Sequence, residues 1–266
     1  MSRFLVCAPD YFRIDYEINP WMRRANAVVA DNAARQWREL MEVLERRLGA
    51  ALERMAPVPG LPDLVFTANA AVVAGRRAAL SRFRHPERQR EEAHFENWFR
   101  EQGYEVFTLD KGCFFEGAGD LLGFPDGWFG GYRQRSDIRA FPRLSEWFQR
   151  EIIPLELIDS RFYHLDTCFC PLSGGELLYF PPAFDEYGRR AIAERISADR
   201  LLPVEESDAL KFACNAVCVD KHVVLPADCP GTVALLEIRG YQAHPVPLHE
   251  FMKSGGSAKC LTLALG

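Results

Sequence analysis

The 266-residue chain predicts an α/β fold, a five-bladed propeller of pseudo-symmetric ββαβ units around a central active site. Three observations carry this expectation. A strand–turn–strand–helix pattern recurs along the chain. The polar residues of each unit gather on its first strand: Asn69, Glu116 with Asp120, His164 with Asp166, Asn215, then Cys260. The two chain ends supply complementary parts of one remaining unit.

The elements follow in order. Residues 4–9 are apolar and read as a strand; their apolar stretch is too short for a secretory leader. A helix is expected over about 23–55. Residues 64–74 and 78–83 form a hairpin across Gly75-Arg76-Arg77, and a helix follows over 86–102, with proline at its first turn as a start signal. The second hairpin joins 114–124 to 128–132 across Pro125-Asp126-Gly127, followed by a helix over 136–150. The third joins 164–172 to 176–180 across Ser173-Gly174-Gly175, with a helix over 183–198. The fourth joins 211–219 to 223–225 across Asp220-Lys221-His222, with a helix over 231–239. Residues 258–265 complete the unit opened by 4–9. One such hairpin is commonplace. Five in register with helices of similar length imply cyclic repetition, in which the termini close a blade and no sheet edge stays exposed. An irregular α+β domain is the competing expectation. No low-complexity linker divides the chain, so 1–266 reads as one domain.

Composition narrows the function. A hydrophobic share of 48% with 26% charged residues fits a soluble globular protein. The net charge of −5 argues against nucleic acid as a partner. No apolar run of about 18 residues suggests a membrane span, and a cytoplasmic location is expected. Eight cysteines are too sparse for a disulfide scaffold. Cys168 with Cys170, and Cys214 with Cys218, lack the two-residue spacing of a zinc knuckle and read as core, so no metal is expected. Neither a P-loop nor a Gly-x-Gly-x-x-Gly segment after a strand is present, and no cofactor is expected. A homo-oligomer is left open.

The chemistry-bearing residues lie far apart in sequence. Cys260 follows the small-residue loop Ser254-Gly255-Gly256-Ser257-Ala258, which leaves room for a substrate beside the sulfur. Upstream lie Phe115-Glu116-Gly117-Ala118-Gly119-Asp120 and His164-Leu165-Asp166. Cysteine, histidine and glutamate in these settings suggest a nucleophile, its acid/base partner and an orienting carboxylate. Taken singly, each has a duller reading: Cys260 as core, His164 as a satisfied structural histidine, Glu116 and Asp63 in turns, Arg88 on a solvated charged helix face. His249 competes with His164, which is preferred for its place with Asp166 on one face of an inward strand.

With these residues in view, the chain resembles the amidinotransferase/arginine deiminase superfamily of guanidine-modifying α/β-propellers over essentially its whole length. The marks are Phe115-Glu116-Gly117 with Asp120, His164-Leu165-Asp166, and Gly255-Gly256 ahead of Cys260. The segments 10–12, 17–22 and 59–70 look closer to bacterial arginine dihydrolases and dimethylarginine dimethylaminohydrolase-like proteins. The resemblance implies Cys260 as nucleophile, His164 as general acid/base and Glu116 as the carboxylate that binds the guanidinium and orients the histidine. It implies Asp63 and Asp166 as further guanidinium contacts, and Arg88 and Arg135 as ligands of the substrate carboxylate, with Arg84 and Arg133 as sequence neighbours that leave that choice open. Asn19 and Asn69 match amides of the dihydrolase subgroup. Lys259 departs from the histidine that commonly precedes the nucleophile in deiminases. The substrate implied is arginine or a methylarginine. The implied reaction is hydrolysis through an amidino-cysteine, giving ornithine, carbon dioxide and ammonia, or citrulline and an amine. The alternatives are an arginine deiminase, an amidino-group transferase, and a non-catalytic propeller that only binds.

Overall fold

The computed structural model describes residues 1–124 and 127–266. The expected turn at Pro125-Asp126-Gly127 therefore falls largely outside the described residues. In chain order, the first elements are β1 (Arg3–Cys7), α1 (Ala30–Glu42) and β2 (Ala51–Met55). A second unit has β3 (Ala71–Ala74), β4 (Arg77–Leu80), α2 (Pro86–Gln89), α3 (Glu91–Glu101) and β5 (Glu105–Phe107). The third has β6 (Leu121–Phe124), β7 (Gly127–Tyr132), α4 (Ala140–Phe148) and β8 (Ile152–Glu156). The fourth has β9 (Phe169–Pro171), β10 (Leu177–Tyr179), α5 (Glu186–Arg195) and β11 (Leu201–Pro203). After α6 (Glu206–Ala209), the fifth has β12 (Val217–Val219), β13 (His222–Pro226), α7 (Pro230–Ile238) and β14 (Gln242–Val246). The chain ends with α8 (His249–Met252) and β15 (Leu263–Ala264).

Five separate three-stranded sheets result, and all are built alike. The first two strands pair antiparallel, as a short turn dictates. The third joins the second in parallel, which needs the intervening helix as a crossover. The remaining sheet has the order β15-β1-β2, so the two termini do close one blade. The sheets stay separate and keep their own edges, contrary to the expected edge-free arrangement; their strands are merely short.

Two expected elements change. The helix over 23–55 begins only at Ala30, runs on through one π turn (Val43–Arg47) and ends before Gly49, whose φ of +64° suits glycine. Residues 51–55 are instead the strand β2, in register with β1 from Arg3↔Ala51 to Cys7↔Met55. The helix over 86–102 is broken at Arg90 into α2 and α3. α4 and α5 are shorter than expected but in place, and α7 keeps its expected length, displaced by one residue.

Helix packing follows spacing. α1 buries Ala33, Gln36, Trp37, Leu40 and Met41, an i, i+3, i+4, i+7, i+8 stripe. α3 buries Glu91, Phe95 and Phe99, one residue per turn. Asp185 caps α5 by accepting from the Gly188 amide, and Gln149 ends α4 in the left-handed region. Burying a phenylalanine such as Phe95 or Phe99 contributes about 1.5–3 kcal/mol.

The strands expected to carry the polar residues are shorter than predicted, and the difference matters. A tight turn precedes the first strand of every unit, and the polar residues sit on those turns. The turns also bond to one another around the axis. Ala68 N donates to Cys260 O at 3.1 Å, and Lys259 N to Asn215 O at 3.2 Å. Asn69 Nδ2 donates to Glu116 O at 3.3 Å, Leu165 N to Asp120 Oδ1 at 3.0 Å, and Asn215 Nδ2 to Asp166 O at 3.1 Å. Each adjacent pair of blades is thus linked at least once, in a closed ring. Among the described residues no helix is long and apolar enough to cross a membrane.

Candidate active site

The ring of turns places Asp63, Asn69, Arg88, Glu116, Arg135, His164, Asp166 and Cys260 in the interior, all at most 3% exposed. Glu116 is the hub. Its Oε2 accepts from His164 Nε2 at 2.7 Å and from Arg135 Nη1 at 3.0 Å, and its Oε1 accepts from Arg84 N at 3.2 Å. Burial would raise the Glu116 pKa, but Arg135, the hydrogen bond from His164 and Arg88 outweigh it and hold the carboxyl well below the usual range. Burial pushes His164 down to about 4, against the opposing pull of Glu116. The imidazole is therefore neutral at pH 7, and its link to Glu116 is a hydrogen bond between a neutral ring and an anion. That bond assigns the proton to Nε2 and leaves the lone pair on Nδ1. Among the described residues Nδ1 has no hydrogen-bond partner.

On the opposite part of the ring, Cys260 is held by Asn215. Asn215 Nδ2 donates to Cys260 Sγ at 3.1 Å, and Oδ1 accepts from the backbone of Ser257 at 3.0 Å and of Cys260 at 3.1 Å. Together with the bond to Asp166 O, both donors and both acceptor positions of this amide are used. The sulfur lies 3.6 and 3.8 Å from the two Asp166 oxygens. Burial and the Asp166 charge push the Cys260 thiol up, while Ser257 N, Asn215 and Lys259 pull it down; the net direction is well up. Burial also raises Asp166, to about 7. At rest the pair is a neutral thiol beside a carboxyl that is easily protonated.

The third part of the ring is Asp63, Asn69 and Arg88. Arg88 Nη1 donates to Asn69 Oδ1 at 2.9 Å and Nη2 to Asp63 O at 3.2 Å, while Nε and Nη2 grip both oxygens of Glu91 at 3.0 and 2.7 Å. The Arg88–Glu91 pair is a buried fork of the i, i+3 kind, in place of the solvated helix face that its charge run suggests. Tyr16 donates to Asp63 Oδ2 at 2.9 Å. Asp63 Oδ1 has no partner, and neither do the hydroxyls of Ser254 and Ser257 beside the cysteine loop. Four of the five such atoms found among the described residues thus lie in or around this ring, the pattern of groups shaped for something polar.

Gly119 is required where it stands. A Cβ there would lie 2.4 Å from Asn69 Nδ2 and 3.4 Å from His164 Cγ, so the histidine and the amide pack over this residue. Asp120 turns the same corner, accepting from Ser136 Oγ at 2.6 Å and from Leu165 N at 3.0 Å. His164 and Asp166 are not neighbours on one strand face, as the sequence suggests; His164 precedes the 3₁₀ turn Leu165–Thr167, and Asp166 lies within it. The turn points one to Glu116 and the other to Cys260.

The segment over 10–29 crosses the ring. Besides Tyr16, Ile18 O accepts from Arg135 Nη2 at 3.0 Å, Asn19 Nδ2 donates to Ser254 O at 3.0 Å, and Trp21 Nε1 donates to Arg161 O at 2.7 Å. Asn19 holds the loop before Cys260 by its carbonyl and also accepts from the Trp21 and Met22 amides. Of the four arginines weighed in the sequence, Arg88 and Arg135 are the buried pair. Arg133 pairs with Glu156 and is largely exposed; Arg84 pairs with Asp137. His249 bonds to Gln36 and lies outside the ring. The sequence places Asn215 among the polar residues that face the axis but gives it no role, and it does not single out Glu91 or Tyr16. Asn215 had a signal, since it opens its unit at the place where Asn69 and Glu116 open theirs. Chemically, the ring offers a thiol, an imidazole with a free lone pair and several carboxylates able to fix a planar cation.

Comparison with known proteins identifies the family. The family model described as N,N dimethylarginine dimethylhydrolase, eukaryotic, matches residues 8–265. The chain is 46% identical over 264 residues to the bifunctional arginine dihydrolase/ornithine cyclodeaminase ArgZ of Synechocystis sp., covering 98% of this chain and 37% of that protein. It thus spans well under half the length of that relative. It is 38% identical over 267 residues to the N(G),N(G)-dimethylarginine dimethylaminohydrolase of Mycobacterium tuberculosis, covering 99% of this chain and 85% of that one. It superposes with a TM-score of 0.96, at 44% identity, on the N-terminal domain of ArgZ solved as a cysteine-to-serine mutant bound to substrate, covering 100% of this chain and 98% of that domain. The chain therefore belongs to the dimethylarginine dimethylaminohydrolase family, within the guanidine-modifying superfamily that its sequence resembles.

Proposed function

We propose that this chain, acting as one domain, hydrolyses the guanidinium group of arginine through a covalent intermediate on Cys260. The observation that carries the reading is the convergence of three distant segments: Glu116 bonded to His164, Asp166 against Cys260 Sγ, and Asn69 joined to both Arg88 and the Glu116 backbone. A guanidinium held by Asp63, Glu116 and Asp166 brings a positive charge to the buried thiol, and nearby positive charge favours thiolate. The thiol proton passes to His164 Nδ1, the free lone pair of the ring. Cys260 Sγ then bonds to the guanidinium carbon, and His164 returns the proton to the departing nitrogen, which leaves as ammonia. Water, deprotonated by the same imidazole, displaces the sulfur and yields the ureido product. Positioned proton transfer of this kind contributes roughly 10²–10⁴-fold. Arg88 and Arg135 are assigned to the substrate carboxylate.

Asn69 supports a second turnover. The ureido product is neutral and offers both a donor and an acceptor, which an amide matches better than a carboxylate does. A second attack by Cys260 releases a second ammonia, and water frees carbamate, giving ornithine and carbon dioxide. The likeness to an arginine dihydrolase favours this outcome; the match to the dimethylargininase family model supports a second reading, release of a methylated amine from methylarginine. Product analysis on purified protein separates them. Arginine should give two equivalents of ammonia per ornithine. Stoichiometric citrulline that is never consumed would refute the second hydrolysis. Preferential release of dimethylamine from dimethylarginine would favour the second reading, and guanidinoacetate formed from arginine plus glycine would mark a transferase.

A further inference from the structure

A cavity of about 180 Å³ opens along the axis between the inner strands, and its lining includes Phe4, Leu122, Phe169, Cys218 and Ala264. Such a volume far exceeds the roughly 10–15 Å³ that a single water needs. The strands that wall it run away from the catalytic turns, since β6, β9 and β15 each begin just after Asp120, Thr167 and Cys260 respectively. Among the described residues the wall is mostly apolar and carries no acidic side chain, and Lys259 is the one charged residue that lines it. Among the described residues no carboxylate lies within ion-pair distance of the Lys259 ammonium, although its charge is felt by both Asp166 and Cys260. A lone cation at the foot of an apolar cavity is complementary to an anion with a short hydrocarbon tail.

We propose that this cavity binds a small apolar carboxylate, its anion on Lys259 and its tail against Phe4, Leu122 and Phe169, and that its occupancy is felt at the neighbouring Cys260. An anion there offsets the Lys259 charge, which is one of the influences favouring thiolate, so the occupied protein has a less reactive nucleophile. Lys259, which departs from the histidine expected before the nucleophile, is the bridge between the two sites. The proposal does not depend on which guanidine is the substrate, and its test needs no turnover.

The test titrates hexanoate into the whole protein, with hexanol and chloride as controls, and follows binding by NMR or calorimetry. In parallel, the rate of iodoacetamide labelling of the Cys260 peptide is read by mass spectrometry. Hexanoate should bind, hexanol and chloride should bind at least about tenfold more weakly, and Lys259→Met should weaken hexanoate by a similar factor, as loss of one charge-assisted hydrogen bond requires. Ala264→Leu, on the exposed rim, should weaken hexanoate while leaving Lys259 in place. Saturating hexanoate should slow Cys260 labelling in the wild type and leave it unchanged in Lys259→Met. Equal binding of hexanol and hexanoate, or unaltered hexanoate affinity in both variants, would overturn the assignment. Tight hexanoate binding with no change in Cys260 labelling would overturn the coupling.

Discussion

Replacing Asn215 by aspartate separates the hold on Cys260 from the hold on the fold. The amide makes four hydrogen bonds. Two are accepted, from the Ser257 and Cys260 backbones, and an aspartate oxygen can keep them. Two are donated, to Cys260 Sγ and to Asp166 O, and a carboxylate loses both. A hydrogen bond to a charged group is worth about 1.5–3 kcal/mol, and one pKa unit is about 1.4 kcal/mol. Loss of the bond to sulfur should therefore move the apparent Cys260 pKa up by about 1–2 units, and the added anion beside Asp166 works in the same direction. At pH 7, turnover of arginine should fall about 10–100-fold. The assay is iodoacetamide labelling of the Cys260 peptide across pH, with arginine turnover measured on the same preparations. Asn215→Ala is the structural companion. It orphans two buried amides at about 1–3 kcal/mol each, so it should lower Tm more than Asn215→Asp does. If Asn215→Asp labels with the wild-type pH profile, or turns over arginine within about twofold of wild type, the reasoning about this residue fails.

Three further outcomes follow from the same geometry. Gly119→Ala forces a methyl group against Asn69 Nδ2 and the His164 ring, so activity should fall more steeply than Tm; kinetics and melting on one preparation check this, and unchanged kcat would contradict it. His164 has a folded pKa of about 4 against 6.5 for an unperturbed histidine, so its neutral form contributes stability that is lost as pH falls from 6.5 towards 4, on the order of 3 kcal/mol if fully expressed. Asp166 and Glu91, both raised by burial to about 7, act in the opposite sense, so the comparison must be the stability difference between wild type and His164→Gln. That difference should shrink by this amount across the window, and a pH-independent difference in urea unfolding would refute the assignment. Arg88→Lys keeps the charge but loses the fork on Glu91 and the bond to Asn69, so KM for arginine should rise while agmatine, which lacks the carboxylate, loses much less; equal losses for both would remove Arg88 from carboxylate binding.

The legible part of the fold was its repetition. Gly75, Gly175 and Asp220 all have positive φ at hairpin turns, so the turn chemistry that betrayed the hairpins is physically required there. The third strand of each unit was harder to see. Residues 51–55 contain Ala, Leu, Glu, Arg and Met, all good helix formers, and only pairing to β1 makes them a strand. Gly49 was the signal available, since a glycine after a helical run commonly ends it. The catalytic candidates were found through their neighbours: small residues before Cys260, and glycines after Glu116. Their placement on turns rather than strands was not legible, because a 3₁₀ turn of three residues leaves no periodicity. Glu91 was hidden in a charged helix run, and only tertiary packing shows that it is fully buried on Arg88 while Glu92 beside it is half-buried on Arg82.

The central claim is that Cys260 carries the reaction covalently. The most direct measurement is rapid acid quenching of the protein during turnover of isotopically labelled arginine, followed by peptide mass spectrometry. The account predicts label from the guanidinium carbon on the Cys260 peptide, appearing before product and absent from Cys260→Ser, which should release no ammonia. Ammonia release by Cys260→Ser at the wild-type rate, or label on a different residue, would contradict it.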